Sequence, residues 1–281
     1  YFTTIRTEGA LLPPDVLQRV AEGKNLLGLA PDDYHLSGQS LTEAINTAWN
    51  TLQGAWANFR ERRDKLPDDD SGTSLTRERW LLPLFRELDF GRLNNAPPRI
   101  FNDKPYPISH AWGDIPLHLV SYKQKLDDRA KGQLSPHSLM QVVLNNDDSA
   151  LWGIVTNGYQ LRLMRDNASL TRQAYVEFDL QAIMDGDIYT DFALLWLLCH
   201  QSRFENDREC WLEAWMTTAQ NDGTRALDQL RQGVQLTIET LGAGFLSHAR
   251  NKPLRDALAS QTLTSADFYR ELLRLVYRLI F

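Results

Sequence analysis

The chain has 281 residues, 43 % of them apolar and 23 % charged, and a formal net charge of −6. That is ordinary globular composition, which argues against wholesale disorder and suits one large domain or two modest ones. The acidic balance excludes a global basic signature, so any nucleic-acid contact has to come from a local patch.

Residues 1–38 are punctuated by Pro and Gly and predict irregular structure with one short helix. Ser40 or Thr42 can cap a helix running to about Arg63, with Ile45, Trp49, Leu52, Trp56 and Phe59 at helical spacing. LPDDDSGTS (66–74) reads as a linker, and TRERWLLPLFRELDF as a second helix ended by Gly91. The stretch 97–123, rich in Pro, aromatic and β-branched residues, predicts two strands. Ser135 and Pro136 form a helix start, cap then first turn, for a helix through about Asn146. In ALWGIVTNGYQLRLMRD (150–166), two alternating apolar runs flank Asn157-Gly158, which predicts a hairpin with a type I′ turn. QAYVEFD (173–179) is a further strand expected beside it.

From Leu180 onward the chain reads helical, with breaks expected near Gly186, Asn206, Gly223, Gly242-Ala243-Gly244 and Pro253. Cys199 and Cys210 lie in helical contexts, so buried thiols and a reducing cytoplasm are expected rather than a disulfide. The longest apolar stretch, Phe192 to Cys199, is too short to span a bilayer, and no membrane partner is expected. TSADFYRELLRLVYRLIF is an amphipathic helix with Arg270, Arg274 and Arg278 on one face. It reaches Phe281 without a cap or breaker, so the natural chain is expected to continue. The expected fold is α/β (α+β), with a mixed sheet of about four to six strands. It divides into a helical part (1–95), a nuclease-like sheet core (96–180) and a helical part (181–281).

The six histidines show no metal-ligand spacing, so no zinc site is expected. Ser109-His110 and Ser138 lack a nucleophile-elbow context. The order helix (76–88), strand, strand (115–123), helix (136–146), strand, strand is that of nucleases of the PD-(D/E)xK class. Such enzymes hold Mg²⁺ on carboxylates while a Lys steadies the attacking water. The candidate positions are Glu87 on the helix, Asp114 at a strand start, and Lys123 in Ser121-Tyr122-Lys123, where Ser stands in the acidic position. A second set of residues can neutralise phosphates: Lys123, Lys125, Arg129 and Lys131 after one strand, with Arg162, Arg165 and Arg172 around the hairpin. Asp127, Asp128 and Asp166 lie close by in sequence and can instead make these solvated faces.

The run SPHSLMQVVLNNDDSALWGIVTNGYQLRLMRDNASLTRQAYVEFDLQAIMDG resembles the N-terminal region of bacterial Eco57I-like restriction–modification methylases, including those of phage-defence islands such as DISARM. EGALLPPDVLQRV, IPLHLVSYKQKLDDR and FYRELLRLVYRLIF extend the resemblance over most of the chain, as general pattern rather than catalytic motif. The VTNG hairpin also looks like one in nuclease-like domains of type I restriction subunits. The resemblance implies a DNA adenine-N6 methyltransferase whose S-adenosylmethionine site lies beyond Phe281. It implies duplex DNA, and other subunits of a defence system, as partners. Neither a Gly-rich cofactor loop nor the Asn-Pro-Pro motif that receives a flipped base is present, since Asn94-Asn95-Ala96-Pro97-Pro98 is not that motif. Three roles follow for the chain itself: DNA or partner positioning without catalysis, an active Mg²⁺-dependent endonuclease, or a protein-interaction scaffold without DNA contact.

Overall fold

Helix starts follow from capping chemistry. Ser40 accepts a hydrogen bond from the Glu43 amide while the Glu43 carboxylate accepts from Ser40 N, and this reciprocal cap opens α2 (Leu41–Arg63). Ser135 caps the Ser138 amide and Pro136 fills the first turn of α5 (Pro136–Asn146), as the sequence predicts. These elements belong to a computed structural model that describes residues 2–9, 11–129, 132–166, 173–206 and 209–280.

The chain divides into two compact units, Tyr1–Ala219 and Gln220–Phe281. The first is built on a seven-stranded mixed sheet with the order β1-β9-β8-β7-β6-β5-β2. Its strands are β1 (Ile5–Glu8), β2 (Asn94–Asn95), β5 (His110–Trp112), β6 (Ile115–Leu119), β7 (Trp152–Thr156), β8 (Gln160–Arg165) and β9 (Tyr175–Asp179). A separate two-stranded ribbon pairs β3 (Arg99–Phe101) with β4 (Lys104–Tyr106). Every neighbouring pair in the large sheet is antiparallel except β6 and β7, which run parallel and are joined through α5. A parallel pair needs such a crossover because both strands must start from the same edge.

Alternation along the strands sends side chains to two faces. Leu117, Leu119, Trp152, Ile154, Leu161, Leu163, Val176 and Phe178 join a large core with α1 (Pro14–Glu22), α2 and α7 (Tyr189–Cys199). That core also holds Trp80 and Phe85, from the helical stretch Thr73–Thr76 (α3), a π turn at Arg77–Leu81, and Leu82–Glu87 (α4). Val155, Met164 and Tyr175 face the other way, onto Met140, Val143 and Leu144 of α5. The sheet is therefore covered by helices on both faces. The π turn has a local cause: Pro83 has no amide proton for the Arg79 carbonyl, and its ring crowds that carbonyl, so the helix widens one turn earlier.

Several expectations are revised. β1 and β2 lie outside 96–180 yet belong to the sheet; β1 is a four-residue edge strand paired Ile5↔Phe178, too short to carry a period of its own. The hairpin tip is not a type I′ turn. Gly158 alone has positive φ (+87°), whereas the Asn157 side-chain carbonyl accepts from the amides of Tyr159 and Gln160. Helix α8 (Trp211–Ser247) does not break at Gly223 or at Gly242–Gly244. A helical Gly costs only about 1 kcal/mol relative to Ala, and at Gly242 a Cβ would come within 3.1 Å of Leu272 Cδ1. The small residue thus permits close packing of α10 (Ser265–Ile280) in the second unit, which also contains α9 (Lys252–Ala259). Ile238, Leu272 and Val276 form the buried core of that unit. Short α6 (Leu180–Asp185) ends at Gly186 as expected. Cys199 and Cys210 are buried and form no disulfide among the described residues. No helix among the described residues is long and apolar enough to cross a membrane.

Candidate functional site

The C-terminal end of β6 and the loop after it hold most of the residues that sequence singles out. Ser121 donates its hydroxyl to Ser71 O at 2.5 Å, and Lys123 Nζ donates to the carbonyls of Asp68 and Asp70 at 3.1 and 2.7 Å. Tyr122 N donates to Thr76 Oγ1 at 3.2 Å. The stretch 66–72 is therefore fastened to the strand end, and the Lys123 ammonium serves as its clamp. Asp114 immediately precedes β6 and is exposed, so the whole strand, about 16 Å long, separates it from Lys123. Glu87 closes α4, eleven residues beyond the Thr76 that meets Tyr122, or about 16 Å along the helix axis. Burial raises its carboxyl above the usual range, with Arg86 opposing. Strand and helix spacing thus set Lys123 apart from both Asp114 and Glu87. Among the described residues no group of three or more His, Cys, Asp or Glu is placed to hold a metal ion.

The second expected basic cluster is engaged internally. Arg162 is 4 % exposed and stands directly across from Glu177, itself 6 % exposed, on the α5 face. Its Nε donates to Glu177 Oε2 at 2.6 Å, its two terminal nitrogens donate to Asp127 Oδ1 and Oδ2 at 2.7 Å each, and it lies 4.4 Å over the Tyr175 ring. Burial opposes its charge, but the bonds to Asp127 and Glu177 outweigh that and raise its pKa. His137 packs edge-on to Tyr175 with both ring nitrogens unpartnered; burial, then Arg162, holds its pKa at about 4. Arg165 is forked onto Glu213 at 2.7 and 3.0 Å, and Trp152 Nε1 donates to the same carboxylate, so this arginine anchors the start of α8 to the sheet. Of the remaining basic residues, Lys125 is exposed beside Asp128 at 3.9 Å, and Arg129 is exposed. Lys131 and Arg172 lie outside the described residues.

On the other face, beside the end of β6, is an arrangement without a local sequence signal. Arg77, half-buried in the π turn, donates Nε to Leu119 O at 2.8 Å. Among the described residues it forms no carboxylate pair, and burial lowers its pKa. His110 lies across from Leu117 on β6 and from Asn95 on β2, so these three side chains share one face. Ser109 Oγ donates to Leu117 O at 3.1 Å, accepts from Leu119 N at 2.7 Å, and lies 2.9 Å from His110 Nδ1. With its one proton given to Leu117, Ser109 accepts from His110 Nδ1–H, which leaves Nε2 as the nitrogen that gains the next proton. Burial and Arg77 together depress His110 to about 4, and burial, Arg77 and His110 do the same to His118.

A cleft of about 620 Å³ between α1, α2 and α7 offers a contrast. Its buried acid, Asp191, is already used by the Thr4 amide and hydroxyl at 3.1 and 2.6 Å. No protein-family model, curated protein or solved structure matches this chain.

Proposed function

We propose that the chain is a nuclease-like but non-catalytic DNA-positioning domain from the N-terminal part of a restriction or phage-defence DNA adenine methyltransferase. The observation that carries this reading is the state of the Ser121–Lys123 segment. In the nuclease-like reading it corresponds to the metal-binding acid and the catalytic lysine, and here the serine bonds Ser71 O while the lysine donates to two backbone carbonyls. The stretch β5, β6, α5, β7, β8, which follows α4 after β2 to β4, with helices on both faces and a parallel β6–β7 pair, supports the nuclease-like part. The resemblance of the 135–186 run to Eco57I-like methylases supports the wider assignment. S-adenosylmethionine belongs, on this reading, to a methyltransferase domain outside the chain.

Among the described residues of the predicted patch, Lys125 and Arg129 are exposed after β6, and on this reading they meet phosphates. The test is a gel-shift series of duplex DNA across salt, in the presence and absence of Mg²⁺. Binding is expected to weaken for all sequences alike, with a log–log slope of roughly −0.9 per phosphate neutralised. Lys125→Ala with Arg129→Ala is expected to make that slope shallower. Absence of binding at low salt overturns the DNA reading in favour of a protein-binding module, and Mg²⁺-dependent cleavage of the duplex overturns the non-catalytic one.

A further inference from the structure

Lone charges beneath a protein surface have a characteristic accounting. A half-buried guanidinium loses hydration and is ordinarily met by a carboxylate, because each unpaired donor costs free energy. Arg162, Arg165 and Arg63 follow that rule, each on an Asp or Glu, and fully buried Arg203 is satisfied otherwise, with all three nitrogens on the Gly28 and Asp33 carbonyls and the Ser202 hydroxyl. Arg77 does not: among the described residues its side chain makes one hydrogen bond, through Nε, to a neutral carbonyl. Leu119, whose carbonyl takes Arg77 Nε, gives its amide to Ser109 Oγ, which lies 2.9 Å from His110 Nδ1, and His110 stands across from the exposed Asn95 of β2. The terminal nitrogens of Arg77 and the Asn95 amide group are donors, and His110 Nε2 becomes one on protonation.

We propose that Arg77, His110 and Asn95 form an anion site whose ligand is a phosphate group. A guanidinium presents paired donors that match two phosphate oxygens, and a protonated imidazole adds a third charge-assisted bond. Arg77 Nε, fixed to Leu119 O, aims the rest of the fork, and the Ser109 bond to His110 Nδ1 fixes the ring so that Nε2 is the ligand-facing nitrogen. The phosphate can be free, as in inorganic phosphate or a nucleotide, or part of a nucleic-acid backbone. The site stands on its own geometry and does not require the DNA-positioning reading.

The experiment follows the histidine ring resonances of the full chain by NMR while inorganic phosphate, thymidine monophosphate or a short duplex is added. Phosphate is expected to shift His110 and to raise its pKa from about 4, because a neighbouring anion favours the imidazolium. Arg77→Ala is expected to weaken phosphate binding about tenfold or more, the worth of one charge-assisted interaction. Arg77→Lys, which keeps the charge without the fork, is expected to fall between. Thermal unfolding of each variant reports whether the fold survives; His110→Gln, which keeps a polar side chain of similar reach, serves as the second variant. A response at His110 to phosphate and nucleotide but not to duplex leaves this inference standing and restricts its ligand to a free phosphate. Duplex binding with no response at His110, or phosphate binding unchanged in Arg77→Lys and His110→Gln, overturns the inference while leaving the DNA reading intact. An unchanged His110 resonance with every probe overturns it outright.

Discussion

Arg162 and Arg77 both bring a guanidinium to the central sheet, from opposite faces, and their surroundings differ in one respect. Arg162 is buried among two carboxylates that engage three of its nitrogens, and nothing is left over for a ligand. Arg77 is only half-buried, holds a carbonyl with one nitrogen, and has other cation-forming groups for neighbours. The difference teaches how to read a basic residue. A charge that is fully paired inside the protein specifies structure, whereas one without a carboxylate among the described residues is where a ligand is proposed to dock.

The largest test of this contrast is thermodynamic. Arg162→Met leaves Glu177 buried without its partner and is expected to destabilise the chain by about 3–5 kcal/mol, measured by urea unfolding. Arg77→Ala removes one hydrogen bond to a carbonyl and is expected to cost about 1 kcal/mol. Equal losses would break the comparison and make Arg77 a structural residue. Restoring much of the Arg162→Met loss by also replacing Glu177 and Asp127 with apolar residues would sharpen it.

The hairpin that carries Arg162 offers a second handle. Gly158→Val is expected to cost about 2–3 kcal/mol, because Val resists the positive φ. A Cβ at this position would also lie 2.8 Å from Thr76 Cγ2. Loss of the Arg162–Glu177 register, seen as a changed Tyr175 environment in near-ultraviolet circular dichroism, should accompany it. A substitution that proves neutral would place the turn elsewhere than at Gly158.

Acid separates the two clusters by pH window. His110, His118 and His137 sit at about 4 and His200 at about 3, each below the unfolded value of 6.5. The unfolded chain therefore binds these protons first. The corresponding stability is full above 6.5 and lost as pH falls from there toward about 4. Asp127 is held below its ordinary value chiefly by its bonds with Arg162, so its contribution is present above that ordinary value and lost only as pH falls further. Urea midpoints measured from pH 7 to pH 3 should decline in that order, and His137→Phe should flatten the upper part of the curve. A midpoint constant down to pH 4 would contradict the neutral buried histidines. The smallest effect is expected at Lys125→Ala, under about 0.5 kcal/mol, since its partner Asp128 is as exposed as the lysine.

Local chemistry made much of the frame legible. The Ser40 and Ser135 caps, the α2 stripe from Ile45 to Phe59, and the 150–166 hairpin could be read from spacing, because each is decided by neighbours within a few residues. β1 escaped that reading since four edge residues gain their strand identity only by pairing with β9, more than 160 residues away. The continuity of α8 through Gly242 was equally hidden, being set by how closely Leu272 approaches. The basic patch shows the same limit in the candidate site. Lys123, Lys125, Arg129, Arg162 and Arg165 look alike in sequence, but folding gives Lys123 to two carbonyls, Arg162 to Asp127 and Glu177, and Arg165 to Glu213. By itself the sequence determined where helices start, where the hairpin turns and which residues carry charge, because these depend on side-chain chemistry and short-range periodicity. Only the tertiary structure decided which of those charges are already satisfied, and it left Arg77 on the Leu119 carbonyl with no carboxylate pair among the described residues, because burial and pairing depend on residues distant in the chain.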